Sequence, residues 1–296
     1  MNSLALIEII RPKQWYKNFL VFIPLIFVLH LFDTTKLLLT ISGFAVFCLS
    51  FSGSYIINDI LDYKKDAIHP QKMRRPIPSG KLSKKQALTF AIILLTISEI
   101  SSYYLNLSFL LTNSILICLT LIYSIQGKNI FLVDIFLISI NYVLRAVGGA
   151  FVIGEKISPW LIMGVFFLAL LLALGKRQNE ISLLKEKAIE HRKILDEYSP
   201  EILRYSITIT SATIILAYSI YSMTGPIVIN DWRLVLTIPV AFFILIMYIN
   251  RINSNKYNEK ELNDLLATDK KLMLAVLIYV IQVILLLYFI PHDFFK

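Results

Sequence analysis

The sequence predicts an all-α, polytopic membrane protein, and three observations carry that expectation. Across 296 residues the chain is 57% hydrophobic and only 17% charged, with a mean hydropathy of +0.69, which leaves too little polar surface for a water-soluble domain of this length. Apolar stretches of about 20 residues, the length that crosses a bilayer as a helix, recur from one end to the other. Between them, Lys and Arg gather in alternate connections, as they do where loops face the cytoplasm.

Nine such stretches lie near 17–33, 38–57, 87–104, 107–125, 132–152, 159–176, 205–223, 232–250 and 272–290. The first has a basic start, but it leads into another span with no small-residue cleavage site, so it reads as a first span and not as a removed leader. With the N-terminus inside, the outer side keeps only Lys36, Lys156, Arg233 and Lys296 of all the basic residues, and Arg145 lies within a span. The C-terminus then falls outside, and the expected location is a bacterial-type inner (plasma) membrane. The net charge of +9 is thereby absorbed as a topology signal with affinity for anionic lipid headgroups; no folded basic module supports nucleic-acid binding. Cys48 and Cys118 lie in separate spans outside any CxxC pattern and read as packing residues. No Gly/Ser linker or low-complexity tract divides the chain, so residues 1–296 are expected to form one domain.

Two charged connections, 58–85 and 175–204, each follow an even-numbered span and face the cytoplasm, so chemistry is expected there. The first begins NDILDYKKD, Asn58 to Asp66. If the helix of the second span continues through it, Asn58, Asp62 and Asp66 fall at i, i+4 and i+8, on one face within about 12 Å of rise. A carboxamide and two carboxylates suit a hard cation such as Mg2+, with Mn2+ as a substitute, which leaves other coordination positions for water and substrate phosphates. Asp59, about 100° away, is the weaker candidate, and the competing account is solvated helix-end acids pairing with nearby lysines. HPQKMRRPIPSG follows: His69-Pro70 ends the helix, and Pro76, Pro78 and Gly80 stiffen a turn that holds Lys72, Arg74 and Arg75 near the acids. Cations beside a metal face point to a polyphosphate ligand, since Arg offers bidentate phosphate geometry that headgroup attraction does not need.

NDILDYKKD resembles the NDxxDxxxD signature of the UbiA superfamily of intramembrane prenyltransferases. RPKQWYKN at residues 11–18, NDILDYKKDAIHPQKMRRPIPSG and GKRQNE at 175–180 together resemble its decaprenyl-phosphate phosphoribosyltransferase branch. The resemblance implies nine transmembrane helices around a central cavity opening to cytoplasm and lipid, and Mg2+-dependent transfer of 5-phosphoribose from 5-phosphoribosyl 1-diphosphate to a polyprenyl phosphate, with release of diphosphate, in cell-envelope glycolipid synthesis. Catalysis would be positioning plus electrostatics, with Asp62 or Asp66 also available to stabilise positive charge developing at ribose C1.

One motif departs from the prenylating pattern. Prenylating members carry a second Asp-rich motif after the sixth span, where this chain has Lys176, Arg177 and Glu180. On a helix these pair at i, i+4 and i, i+3, which a surface ion pair would explain; the functional alternative is that the cations bind the donor's 5-phosphate. Lys17 and Asn18 enter as candidate phosphate contacts because the resemblance includes them, although interfacial anchoring by Lys13, Trp15, Tyr16 and Lys17 explains most of that stretch. In the fifth span Asp134, Asn141 and Arg145 form a polar stripe with Gly148 and Gly149 beyond it for close packing. The stripe reads as cavity-facing, with the lipid phosphate as one candidate partner for Arg145; the alternative is a buried Asp and Arg satisfied by neighbouring helices. Two rival functions stand beside the main one: prenylation of an aromatic ring from a prenyl diphosphate, which a second acidic motif would favour, and solute transport, which the absence of paired broken helices disfavours.

Overall fold

A computed structural model describes residues 3–68, 72–184, 193–224, 233–253 and 268–291, and among them every regular element is helical. The α-helices are α1 (Ser3–Ile9), α2 (Phe22–Phe27), α3 (Thr34–Leu61), α4 (Tyr63–Ile68), α5 (Lys84–Leu105), α6 (Leu107–Ile125), α7 (Val133–Val152), α8 (Pro159–Leu184), α9 (Pro200–Thr224), α10 (Ile238–Ile252) and α11 (Lys270–Tyr288). Eight helical segments among the described residues are long and apolar enough to cross a membrane, α10 counting together with the 3-10 turn Arg233–Thr237 that leads into it.

The first expected span is built differently. Residues Pro12–Val21 form a 3-10 helix and only Phe22–Phe27 are α-helical. Pro24 has no N–H to donate and its ring crowds the preceding turn, and the backbone reverses at Leu29, whose φ is 61°. A 3-10 helix repeats every three residues, so Lys13 and Lys17, four apart, do not share a face here.

Several of the long helices start where the sequence supplies a cap. Asp33 accepts the Lys36 N–H at the start of α3 (3.1 Å), Ser83 and Gln86 form a reciprocal capping box on α5, Asn106 accepts the Phe109 N–H on α6 (2.7 Å), and Asp269 accepts from Lys271 and Leu272 on α11. Such caps satisfy orphan donors that lipid would leave bare. Hydroxyls within the spans, among them Thr40, Ser54 and Ser102, donate back to the carbonyl four residues earlier, which satisfies them without a partner helix.

The chain divides into two compact units, Met1–Lys128 with Ile140–Ile157, and Asn129–Ser139 with Ser158–Lys296. In the first, α3 packs against α5 and α6. One core holds Val21, Leu25, Phe47, Phe51, Phe109 and Leu116, and a second, nearer the 58–85 connection, holds Ile9, Ile56, Ile77, Leu82 and Ala87. Gly148 and Gly149 serve close packing as expected: a Cβ on Gly149 would lie 2.2 Å from the Val21 carbonyl oxygen, and one on Gly148 would lie 2.5 Å from the Phe47 ring. The polar groups of this unit's spans are paired internally. Glu99 accepts from Asn113 Nδ2 (2.9 Å) and Ser114 Oγ (2.7 Å), and Ser50 donates to Asn113 Oδ1 (2.6 Å).

In the second unit α9 packs along α8, and the core joins Ile135, Leu171, Leu174, Tyr198, Leu203, Leu245, Tyr248 and Leu272. Arg233 is buried and donates to the carbonyls of Leu286 and Ile290 at the end of α11, where unsatisfied carbonyls carry the negative end of the helix dipole.

Candidate functional site

At 28 residues, α3 is about 42 Å long, more than the roughly 30 Å hydrocarbon layer, so its last turns carry Asn58 and Asp59 beyond lipid depth. The helix ends at Asp62 and α4 begins at the next residue, yet the i, i+4 phase survives the break: the Asp62 N–H donates to the Asn58 carbonyl and the Asp66 N–H to that of Asp62, both at 2.9 Å. His69, Pro70 and Gln71, expected to end this helix, lie outside the described residues. Beyond them Lys72–Arg74 make a single 3-10 turn, and Pro76, Ile77 and a positive-φ Gly80 fold the chain back to Leu82.

Each acid in this cluster meets a cation. Lys128 Nζ lies 2.6 and 2.7 Å from the two Asp62 carboxylate oxygens and 3.4 Å from Asn58 Oδ1. Arg75 Nη1 reaches Asp59 (3.1 Å) and also bonds Asp66. Arg11 pairs with the same Asp59 oxygen and lies over the Tyr55 ring. Asp59 and Asp66 are buried, while Asp62 retains 22% side-chain exposure.

The arrangement bears directly on whether this site fits a hard cation. Asn58 and Asp62 already converge their oxygens on one positively charged nitrogen, so the Lys128 ammonium stands where a metal ion would stand. Asp66 turns to Arg75 instead. No group of three or more His, Cys, Asp or Glu side chains with metal-holding geometry occurs among the described residues, so any metal here would have few protein ligands. That is how Mg2+ is usually bound, through one or two carboxylates with water and substrate phosphate completing the octahedron. The donor chemistry of Asn58 and Asp62 therefore fits.

The RPKQWYKN stretch docks along α3 through three side chains. Arg11 reaches Asp59, Trp15 Nε1 donates to Ser52 Oγ (3.2 Å), and Asn18 Nδ2 donates to Cys48 Sγ (3.3 Å). Trp15 is thus a structural tie and not only an interfacial anchor. Lys17 is half-buried, donates to Gln14 Oε1 and lies 5.6 Å from the Tyr16 ring. Lys72 is partly exposed and Arg74 exposed. Asn141 and Arg145 are both buried in α7: Asn141 Oδ1 accepts from Thr120 Oγ (2.9 Å), while Arg145 donates to Asn18 Oδ1 (3.0 Å) and to the Asn141 carbonyl (2.9 Å).

The second unit contains a separate cluster. Arg177 is completely buried, its Nε donating to Asp134 Oδ2 at 2.7 Å and its Nη1 pairing with Glu180. Asp134, itself fully buried, also accepts from the Tyr198 hydroxyl (2.6 Å), and Tyr198 Oη accepts the Leu132 N–H (3.2 Å). Burial, followed by the hydrogen bond and the charge of Asp134, pushes the Tyr198 hydroxyl well above its ordinary range, so it stays a donor. The Arg177–Glu180 pair expected from the i, i+3 spacing exists, but it is a buried pair with a third member and not a surface one. Lys176 is partly exposed.

Four residues had drawn little or no notice in the sequence. Arg11 sits in a motif read for its lysines, Asp59 lies off the chosen helical face, Lys128 is a single cation in a short connection, and Tyr198 is an aromatic in a long one. The one available signal was Lys128, the sole basic residue between the fourth and fifth expected spans.

A many-spanning helical membrane protein with a carboxylate and carboxamide site at the end of one long helix defines the class. The chain belongs to the UbiA prenyltransferase family, whose profile matches residues 19–268. It is 29% identical to a decaprenyl-phosphate phosphoribosyltransferase of Corynebacterium glutamicum over 97% of this chain and 88% of that protein, and 28% identical to one of Mycobacterium tuberculosis over 94% and 93%. Its fold matches that of a UbiA homolog from Archaeoglobus fulgidus bound to DMAPP and Mg2+ with a TM-score of 0.72 at 17% identity, covering 97% of this chain and all of that one.

Proposed function

We propose that this protein is a polyprenyl-phosphate phosphoribosyltransferase of a bacterial-type inner membrane, with its N-terminus and chemistry on the cytoplasmic side and residues 1–296 acting as one transferase domain. The observation that carries the assignment is the convergence of Asn58 and Asp62 on one cation, in a chain similar over nearly its whole length to relatives named for that activity. The donor is 5-phosphoribosyl 1-diphosphate and the acceptor a polyprenyl phosphate of the decaprenyl kind, feeding cell-envelope glycolipid synthesis.

Asn58 and Asp62 would hold Mg2+, or Mn2+ in its place, with Asp66 completing the set once Arg75 lets it go. When bound, the metal supplies charge neutralisation for the departing diphosphate. Lys128, which pairs with Asp62, would meet the same phosphates, and Lys17, Lys72, Arg74 and Arg75 add cations to the first unit. Asp62 or Asp66 can face positive charge developing at ribose C1. The acceptor phosphate is anionic at neutral pH and attacks without a general base. Lys176 remains a candidate for the donor's 5-phosphate, while Arg177 and Glu180 hold the end of α8 in shape.

Purified protein given labelled 5-phosphoribosyl 1-diphosphate and a polyprenyl phosphate should form a labelled lipid, lose that activity in EDTA and recover it with Mg2+ or Mn2+. Full turnover without divalent metal would refute the site. A labelled lipid formed only from a prenyl diphosphate and an aromatic acceptor would install ring prenylation instead.

A further inference from the structure

Arg145 differs from the ion-paired cations described in this chain and from Arg233, which meets the negative end of α11. It lies about 18 Å of helical rise from the start of α7, at hydrocarbon depth, and is only 3% exposed. Its Nε donates to the Asn18 carboxamide oxygen and its Nη1 to the Asn141 carbonyl. The guanidinium lies 3.8 Å from the Phe51 ring centroid and 4.8 Å from that of Tyr142. All four neighbours are electrically neutral, and no carboxylate pairs with Arg145 among the described residues. Arg11, Arg75 and Lys128 each have an Asp, Arg177 has an Asp and a Glu, and Arg251 has Asp269.

A guanidinium held in that way is oriented without being neutralised. Two of its nitrogens are fixed by dipoles and its faces by aromatic rings, while Nη2 carries no hydrogen bond to a described residue. An uncompensated charge at that depth is costly, and the protein spends two buried amides and two rings on keeping it there. An anion that reaches it must tolerate hydrocarbon, which a fully hydrophilic sugar phosphate does not and a phosphate on an isoprenoid tail does.

Resting on the phosphoribosyl-transfer reading, we infer that Arg145 binds the phosphate monoester of the lipid acceptor, with Asn18 as its positioning residue. A single guanidinium among neutral groups suits a monophosphate better than the more highly charged diphosphate, so the same contact sets the preference between them. The RPKQWYKN motif thereby acts in two places: Arg11 balances the acidic site and Asn18 aims the acceptor-binding cation.

The test is direct binding, without turnover, to the full-length protein in detergent, with four probes: a short-chain polyprenyl phosphate, the matching diphosphate, the matching alcohol, and 5-phosphoribosyl 1-diphosphate. Arg145→Met should weaken the monophosphate about ten- to a hundredfold, the size of one charge-assisted phosphate contact, and leave the alcohol and the phosphoribosyl donor unchanged. Arg145→Lys, which keeps the charge and loses the fork, covers the case in which the Met variant does not fold, and should weaken the monophosphate severalfold. Asn18→Ala should do the same, again sparing the alcohol, which a merely structural defect would not spare. Unchanged monophosphate affinity in Arg145→Lys overturns the inference. Loss of donor affinity with monophosphate affinity intact also overturns it, and gives the site to the donor's phosphate. Because no transfer is measured, a parent protein that binds the lipid phosphate through Arg145 yet transfers no phosphoribose would sink the proposed reaction and keep this contact.

Discussion

Replacing Arg177 with Met removes a guanidinium whose side chain and whose Asp134 partner are both at 0% exposure, 2.7 Å apart. The Asp134 carboxylate would then keep the Tyr198 hydroxyl, a neutral donor, in place of its cation. Breaking one side of a buried pair costs about 3–5 kcal/mol, because the charge left behind is not resolvated. At roughly 2–4 °C per kcal/mol for chains of a few hundred residues, the melting temperature should fall on the order of 10 °C. Replacing both partners with apolar residues, Asp134→Leu with Arg177→Met, should recover most of that loss, since the fully buried carboxylate is then gone and the Glu180 left unpaired keeps 17% side-chain exposure. The assay is thermal unfolding of the purified single and double variants beside the parent, with donor KM measured on each. The reasoning fails if Arg177→Met melts within about 1 °C of the parent while the donor KM rises about tenfold; Arg177 would then be a phosphate ligand and not a strut.

Lys128→Met removes the cation that competes for Asn58 and Asp62, so Mn2+ affinity in the absence of substrate should rise about tenfold by titration, while turnover falls; an unchanged Mn2+ affinity would separate Lys128 from the metal site. The Tyr198 hydroxyl titrates above its ordinary value of 10.0, so its contribution is complete below about pH 10 and is lost as pH rises through the higher folded value; melting temperature against pH should show that alkaline loss in the parent and a flatter profile in Tyr198→Phe. Glu155 is held below its usual range, chiefly by the hydrogen bond from Lys36, so its contribution of about 0.2–1 kcal/mol is present above about pH 4.5 and disappears on further acidification, a loss that Lys36→Met should abolish. Single cysteines at Lys65 and Lys156 should label from opposite sides of the membrane, the first from the cytoplasm; the reverse pattern would invert the assigned topology.

Helix existence was legible because lipid forces it. An apolar run of about 20 residues has one way to satisfy its backbone, and the caps at Asp33, Ser83, Asn106 and Asp269 agree with that demand. The break within the first expected span was not legible, because length and hydropathy register neither Pro24 nor the left-handed turn at Leu29. At the site, the i, i+4 phase of Asn58, Asp62 and Asp66 persists along the backbone, but spacing along a helix says nothing about what docks against it. Asp59, set aside as off-face, is the more deeply buried acid because Arg11 and Arg75 come from distant segments to meet it. Arg177 illustrates the same limit: its i, i+3 partner was visible, while the Asp134 and Tyr198 that make the pair a buried one are contributed from outside its helix.

The contact between Asn18 and Arg145 joins residues 127 positions apart, and Gly149 presses on the Val21 backbone beside it. At synthesis rates of about 5–20 residues per second, the N-terminal segment waits on the order of ten seconds for its partner to leave the ribosome. During that interval a 3-10 helix, the less stable of the two helical forms, has neither its amide oxygen engaged by Arg145 nor Gly149 against its backbone. The resting geometry of the RPKQWYKN stretch is thus a late event in biogenesis. A nascent chain halted before α7 would carry every acid of the proposed metal site and still lack the support that fixes its N-terminus, so competence in this protein arrives with the fourth long helical segment and not with the first, where the acids are encoded.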